Sequence, residues 1–101
     1  MWGSGSKYKG NYKNDMKEGY GEMYWADGSI YRGFWENGVQ SGLGLMIFKD
    51  GLRKVGFFEE NVYKRPLKSM NDYDAFEKKI KNKKIKIPEA FHQEVKEYVG
   101  L

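Results

Sequence analysis

The chain has 101 residues, 40% hydrophobic, 32% charged and 17% aromatic, with 13 glycines; that is enough for one small domain but not comfortably for two. Its lack of cysteine excludes disulfides, cysteine zinc sites and thiol catalysis, and fits a reducing intracellular setting. The formal net charge of +4 is unevenly divided: residues 1–63 carry 8 basic and 8 acidic groups, net 0, and residues 64–101 carry 10 and 6, net +4.

Residues 1–5 hold no apolar signal core, and no apolar run in the chain is long enough to span a membrane. Self-similarity organises the chain up to residue 62. Gly5, Gly28 and Gly51 recur every 23 residues. At the same offset Tyr8 matches Tyr31, Gly10 matches Gly33 and Gly56, Tyr12 matches Trp35 and Phe58, and Trp2 matches Trp25 and Phe48. Gly19-Tyr20-Gly21 matches Gly42-Leu43-Gly44. Trp2 holds a mid-strand slot, so the chain opens inside a repeat, as a fragment would.

Each unit reads as strand, turn, strand. In the middle unit Gly21-Glu22-Met23-Tyr24-Trp25 leads into the turn Ala26-Asp27-Gly28, and residues 29–35 return. A two-residue turn would set Glu22 opposite Gly33. A three-residue turn, with Gly28 in a left-handed bulge position, sets Glu22 opposite Arg32 and Gly21 opposite Gly33. The second is preferred because it pairs opposite charges, and in the next hairpin it pairs Gly44 with Gly56 and Leu45 with Val55. Side chains alternate along a strand. Gly21, Met23, Trp25, Tyr31, Gly33 and Trp35 then share one face, where rings can lie over the gaps that paired glycines leave. Tyr8, Gly10, Trp25, Gly28, Tyr31, Gly33, Trp35, Gly51 and Gly56 are the expected structural residues of the repeat.

The opposite face carries Tyr20, Tyr24, Ile30, Phe34, Leu43, Leu45, Ile47, Val55 and Phe57, and needs a cover. Of these, Tyr20, Tyr24, Phe34, Leu45, Ile47, Val55 and Phe57 are the candidate surface for a partner or for the chain's own tail. Residues 13–18 and 36–41 read as polar turns between units. The units fall near 2–24, 25–47 and 48–62. The third breaks off where Arg65-Pro66-Leu67 replaces the due Gly-x-Gly, so residues 63–68 read as a linker.

Residues 69–101 form a basic helical tail. Ser69-Met70-Asn71-Asp72 offers capping residues, and Tyr73, Phe76 and Ile80 follow at helical spacing, predicting a helix over 71–82. Pro88 opens a second helix with Phe91, Val95 and Tyr98 or Val99 on one stripe, and Gly100 just beyond its end. One helix is expected to cap the last hairpin. Between the stripes lie Lys78, Lys79, Lys81, Lys83, Lys84 and Lys86. They are either a solvated run or a contact for an anionic lipid or acidic protein surface.

Tyr31-Arg32-Gly33-Phe34-Trp35-Glu36-Asn37-Gly38, then Ser41-Gly42-Leu43-Gly44, then Asp50-Gly51, resembles the MORN repeat, the membrane occupation and recognition nexus motif. Lys7-Tyr8-Lys9-Gly10-Asn11-Tyr12 with Gly19-Tyr20-Gly21 gives the same pattern one unit earlier. The third unit departs, with Lys54 where tyrosine is due and Phe58 in place of tryptophan. The resemblance covers residues 2–62 and suits a C-terminal fragment or a small member of the family. It implies an elongated antiparallel sheet of about three β-hairpins, followed here by a short helical tail, so a mainly β fold. It also implies a non-enzymatic protein-interaction scaffold in a cytoskeletal or ciliary assembly, in the cytoplasm or peripheral at a membrane. The alternative it offers is a regulatory or targeting segment of a lipid kinase or methyltransferase that contacts acidic phospholipid.

No residue pattern favours catalysis. His92 has no signalled nucleophile or carboxylate partner and reads as a solvent-facing helix histidine. Glu59-Glu60 reads as a solvated acidic pair. Gly19-x-Gly21 and Gly42-x-Gly44 open no helix and precede no Gly-Lys-Ser/Thr, so they are not phosphate loops. No metal-ligand spacing occurs and no cofactor is implied. Tyrosine and tryptophan rows could stack bases, but residues 1–63 carry no net charge, which argues against nucleic acid. The expected partners are other proteins, with an acidic phospholipid surface as an addition.

Overall fold

The computed structural model describes residues 5–83 and 85–100, which leaves the Trp2 match outside the described residues. Six strands run in chain order: β1 (Lys7–Lys13), β2 (Met16–Tyr24), β3 (Ile30–Glu36), β4 (Val39–Ile47), β5 (Arg53–Glu59) and β6 (Val62–Pro66). Each pairs antiparallel with the next in a single sheet. Two helices follow, α1 (Met70–Asn82) and α2 (Glu89–Gly100). The fold is the expected mainly β sheet with a helical tail. With three hairpins and a folded-back tail the molecule measures 39 × 34 × 24 Å.

The turns alternate between two kinds. Ala26-Asp27-Gly28 and Lys49-Asp50-Gly51 are three-residue turns, with Gly28 and Gly51 at φ +98° and +93°. Asp27 and Asp50 each accept the backbone N–H two residues on, at 2.8 and 3.0 Å, which locks the bend. This is the preferred register: Glu22 stands opposite Arg32, Gly21 opposite Gly33, Gly44 opposite Gly56 and Leu45 opposite Val55. The others are two-residue turns with both residues left-handed, at Asn14-Asp15, Asn37-Gly38 and Glu60-Asn61. Segments 13–18 and 36–41, read as turns, are therefore mostly strand. Only two residues leave the ladder, because a turn of that hand matches the twist of the strands it joins.

The two-residue turns also join neighbouring units. Gly38 N–H donates to the Lys17 carbonyl at 3.0 Å, and one repeat later Asn61 N–H donates to the Gln40 carbonyl at 3.2 Å. Gln40 N–H donates back to Asn61 Oδ1 at 2.8 Å.

The linker expected over 63–68 is mostly strand instead. Pro66 stands opposite Gly56 and Arg65 opposite Phe57. Proline does not break this ladder because β6 is the outermost strand, where a missing N–H costs no inward bond. Leu67 then donates to the Val55 carbonyl at 3.1 Å and turns into the core. In β2 and β4 the pairing shifts around Gly19 and Gly42, both at positive φ; the next equivalent position, Arg65, lacks that freedom, and the ladder shifts differently there.

Ser69 caps α1, its hydroxyl accepting from the Asp72 N–H at 3.4 Å. The helix starts one residue earlier than expected. α2 begins just after Pro88 and includes Gly100. The expected cap on the last hairpin is corrected. The helices lie across the sheet face rather than against its end, because the apolar side chains they cover extend from β2 to β5.

Candidate binding faces

Five glycines stand side by side across the sheet: Gly10, Gly21, Gly33, Gly44 and Gly56, each opposite the next, with Pro66 closing the row. A Cβ at Gly33 would stand 2.8 Å from the Tyr31 hydroxyl, and one at Gly10 would stand 2.6 Å from that of Tyr8. The bare row lets phenol rings lie flat along the sheet. Tyr8 and Tyr31 donate to the carbonyls three residues on, Asn11 at 2.9 Å and Phe34 at 3.1 Å. Trp35 Nε1 donates to the Gly21 carbonyl at 3.1 Å. Edge-to-face contacts then link Tyr12, Tyr8, Trp35, Tyr31, Phe58 and Tyr63 at centroid distances of 5.0–5.5 Å.

Tyr31 and Trp35 are buried and belong to this framework. The third unit completes it by another route. Lys54 replaces the tyrosine, and Tyr63 reaches back from β6 to cover Gly56, with the Lys54 ammonium 4.5 Å from its ring centroid. Sequence reading ended the repeat at residue 62 and so missed Tyr63. The signal was there: an aromatic residue one strand beyond the Lys54 substitution.

Trp25 packs against this cluster from its margin. It is half-buried, and with Phe48, its partner at the repeat offset, it also lines a groove of about 610 Å³ on this face. Met23, Trp35, Met46 and Phe58 help form its apolar lining, while Lys17, Lys54, Gln40 and Asn61 bring polar groups to it. Phe48 is 41% exposed. Burial lowers the pKa of the Lys17 ammonium.

The opposite face is inside the molecule. Phe34, Leu43, Leu45 and Val55 are buried with Leu67, Tyr73, Ile80, Phe91 and Val95, and Tyr20, Ile47 and Phe57 pack at the margin. Tyr24 lies farther out, its hydroxyl donating to Glu22 at 2.6 Å. Phe91 meets Tyr20 and Phe34 edge-on, at 5.3 and 5.8 Å, and Phe76 meets Phe34 at 5.0 Å. The left-handed glycines are the seats for the tail. A Cβ on Gly42 would stand 2.8 Å from the Phe76 ring, and one on Gly19 would stand 3.9 Å from Ile85. Arg32 Nη1 donates to Glu94 Oε1 at 2.8 Å, with Arg53 3.9 Å from the same carboxylate, so α2 is also held by charge. Of the residues offered for a partner or for the tail, those beneath α1 and α2 are thus occupied by the tail.

Residues 8–30 and 31–53 match the family model described as MORN repeat. The chain carries MORN repeats. A comparison with curated proteins returns no match. The two matched units begin at Tyr8 and Tyr31, the tyrosines whose rings lie along the glycine row. The third hairpin, β5 and β6, continues the MORN sheet beyond the matched residues. MORN repeats are protein- or lipid-binding modules.

Beside the MORN sheet the lysine run divides. Lys78, Lys79 and Lys81 are exposed on α1, where Tyr73, Phe76 and Ile80 turn inward, and Lys86 is exposed beyond it. Lys83 lies 3.9 Å from Glu36, both more than half exposed, a pair of little energetic weight. Lys84 lies outside the described residues.

The reading of His92 as solvent-facing is corrected. It is half-buried, and its Nδ1 lies 2.7 Å from the Tyr73 hydroxyl, because the helices fold side by side and bring the two rings together. Glu59 and Glu60 are exposed at the last turn. Among the described residues no three of His, Cys, Asp and Glu gather to hold a metal.

Proposed function

We propose that this chain is a non-enzymatic protein-interaction scaffold whose partner face is the aromatic groove. One observation carries the reading. The tail covers one side of the sheet with its own helices, while Trp25, Met46 and Phe48 remain accessible on the other. A part-buried tryptophan and an exposed phenylalanine at matched repeat positions supply rigid apolar area of the kind that anchors a partner. The MORN repeat supports membership of a larger assembly, and its resemblance to family members in cytoskeletal and ciliary structures supports that setting, in the cytoplasm or at a membrane periphery.

The test is recovery of stoichiometric partners from the source cell with the full chain and with its Phe48→Ala variant. The reading expects the variant to melt normally and lose the partner. Equal recovery by both contradicts it.

The exposed lysines of α1 support a second contact, with acidic phospholipid; a targeting segment of a lipid kinase or methyltransferase would use the same surface. Each lysine near an anionic membrane adds up to about 1 kcal/mol. Replacing Lys78, Lys79, Lys81 and Lys86 with glutamine should then weaken salt-sensitive binding to phosphatidylserine vesicles. Unchanged binding discards this contact.

A further inference from the structure

The cations in the groove decide what kind of partner segment it accepts. Lys17 on β2 places its ammonium 5.3 Å from the Tyr8 ring centroid and 5.5 Å from that of Trp35. Lys54 on β5 lies 4.5 Å from that of Tyr63. Aromatic grooves attract cationic ligands through their ring faces. Here the chain's own ammoniums sit over those rings, and an incoming cation would also meet two like charges. No carboxylate lines the groove among the described residues. An anionic group, by contrast, meets two ammoniums beside an apolar lining, where partial desolvation strengthens the attraction.

The lining extends from Gly38 and Asn61, in the two-residue turns, to Trp25 and Phe48, beside the three-residue turns. That is roughly the length of β3, seven residues, so an extended segment of about six residues would fill it at about 3.3 Å per residue. The mixture of Met, Trp and Phe suits an apolar anchor. Base stacking is less suited, because Trp35 and Phe58 meet neighbouring rings edge-on and are buried.

Resting on the reading of this groove as the partner face, we propose that it takes an extended peptide segment with an apolar anchor flanked by carboxylates. Lys17 and Lys54 would receive the carboxylates, and Trp25, Met46 and Phe48 the anchor.

A random-peptide display selection on the immobilised full chain, counter-selected on the Phe48→Ala chain, tests this. Enriched peptides should carry Asp or Glu on either side of a Leu, Met or Phe. Their synthetic copies should bind about tenfold more weakly to the Lys54→Gln chain and weaken as salt is raised. Lys54 is exposed, so that variant retains the fold; Lys17→Gln repeats the test on β2. Enrichment of basic or neutral peptides, with affinity unchanged in the lysine variants, overturns the acidic assignment and leaves the groove standing. Displacement of the peptides by oligodeoxythymidine overturns it in favour of nucleic acid. Peptides that bind the Phe48→Ala chain equally well, or no enrichment at all, overturn the groove as well.

Discussion

The ring of Tyr31 lies against Gly44 on the neighbouring strand so closely that a Cβ at position 44 would overlap it. Tyr31 is fully buried, and its hydroxyl is bonded to the Phe34 carbonyl, so the ring cannot withdraw without losing that bond. Gly44→Ala should therefore destabilise the chain by roughly 1–3 kcal/mol, the range of overpacked cores. Urea denaturation checks this. The double variant Gly44→Ala with Tyr31→Leu should cost less than the sum of the single changes, because the smaller side chain vacates the overlap.

Trp35 and Trp25 are expected on one face from the sequence and are unequally buried in the structure. Trp35→Ala removes a buried ring and its bond to the Gly21 carbonyl, and should cost about 3–5 kcal/mol. Trp25→Ala removes a half-buried ring and should cost distinctly less, about 1–2 kcal/mol. Thermal melts of the two variants should separate clearly.

The glycine row, the three-residue turns and the ring-bearing face were legible because a 23-residue period fixes register and face together. That an apolar face needed a cover was equally legible from Leu45, Val55 and Phe57. What covered it was less so. Seating Phe76 on Gly42 and joining Arg32 to Glu94 requires docking segments far apart in sequence, and helical spacing specifies a stripe but not its target. Tyr63 was missed, and residues 63–66 of the sixth strand were read as linker, because Pro66 is a strand breaker everywhere except at an edge, and edge position is a property of the whole sheet. His92 was misread because its partner, Tyr73, is on the other helix.

Glu94 stands between Arg32 and Arg53 and joins α2 to the sheet. Glu94→Ala leaves the half-buried Arg32 without its helical partner and should cost about 1–3 kcal/mol. Glu94→Gln, which can still accept a hydrogen bond, should cost less. Faster amide exchange in α2 than in β2–β5 would mark the same loosening.

Deleting residues 68–101 uncovers Phe34, Leu43, Leu45 and Val55. The shortened chain should aggregate or unfold when examined by light scattering and circular dichroism. A soluble, folded monomer would contradict the covering role of the tail.

Burial, with Glu77 and Asp74 adding to it, raises the Tyr73 hydroxyl from 10.0 to about 12. Burial, then the neighbouring Tyr12, raises Tyr8 to about 12 as well. A folded-state pKa above the unfolded one means that the folded chain holds its proton longer. This contribution is complete below pH 10 and is lost as pH rises towards 12. Unfolding should steepen across that window, and Tyr73→Phe, which cannot ionise, should move the alkaline midpoint upward.

The division of the sheet into a covered face and a working face is most directly tested by photo-crosslinking. A photoreactive residue at position 48 in the groove, compared with one at position 79 on the exposed side of α1, reports which face meets the partner in the cell. Crosslinking from position 48, competed by acidic peptides that bind the groove, is the predicted result. Crosslinking from position 79 alone would contradict the account.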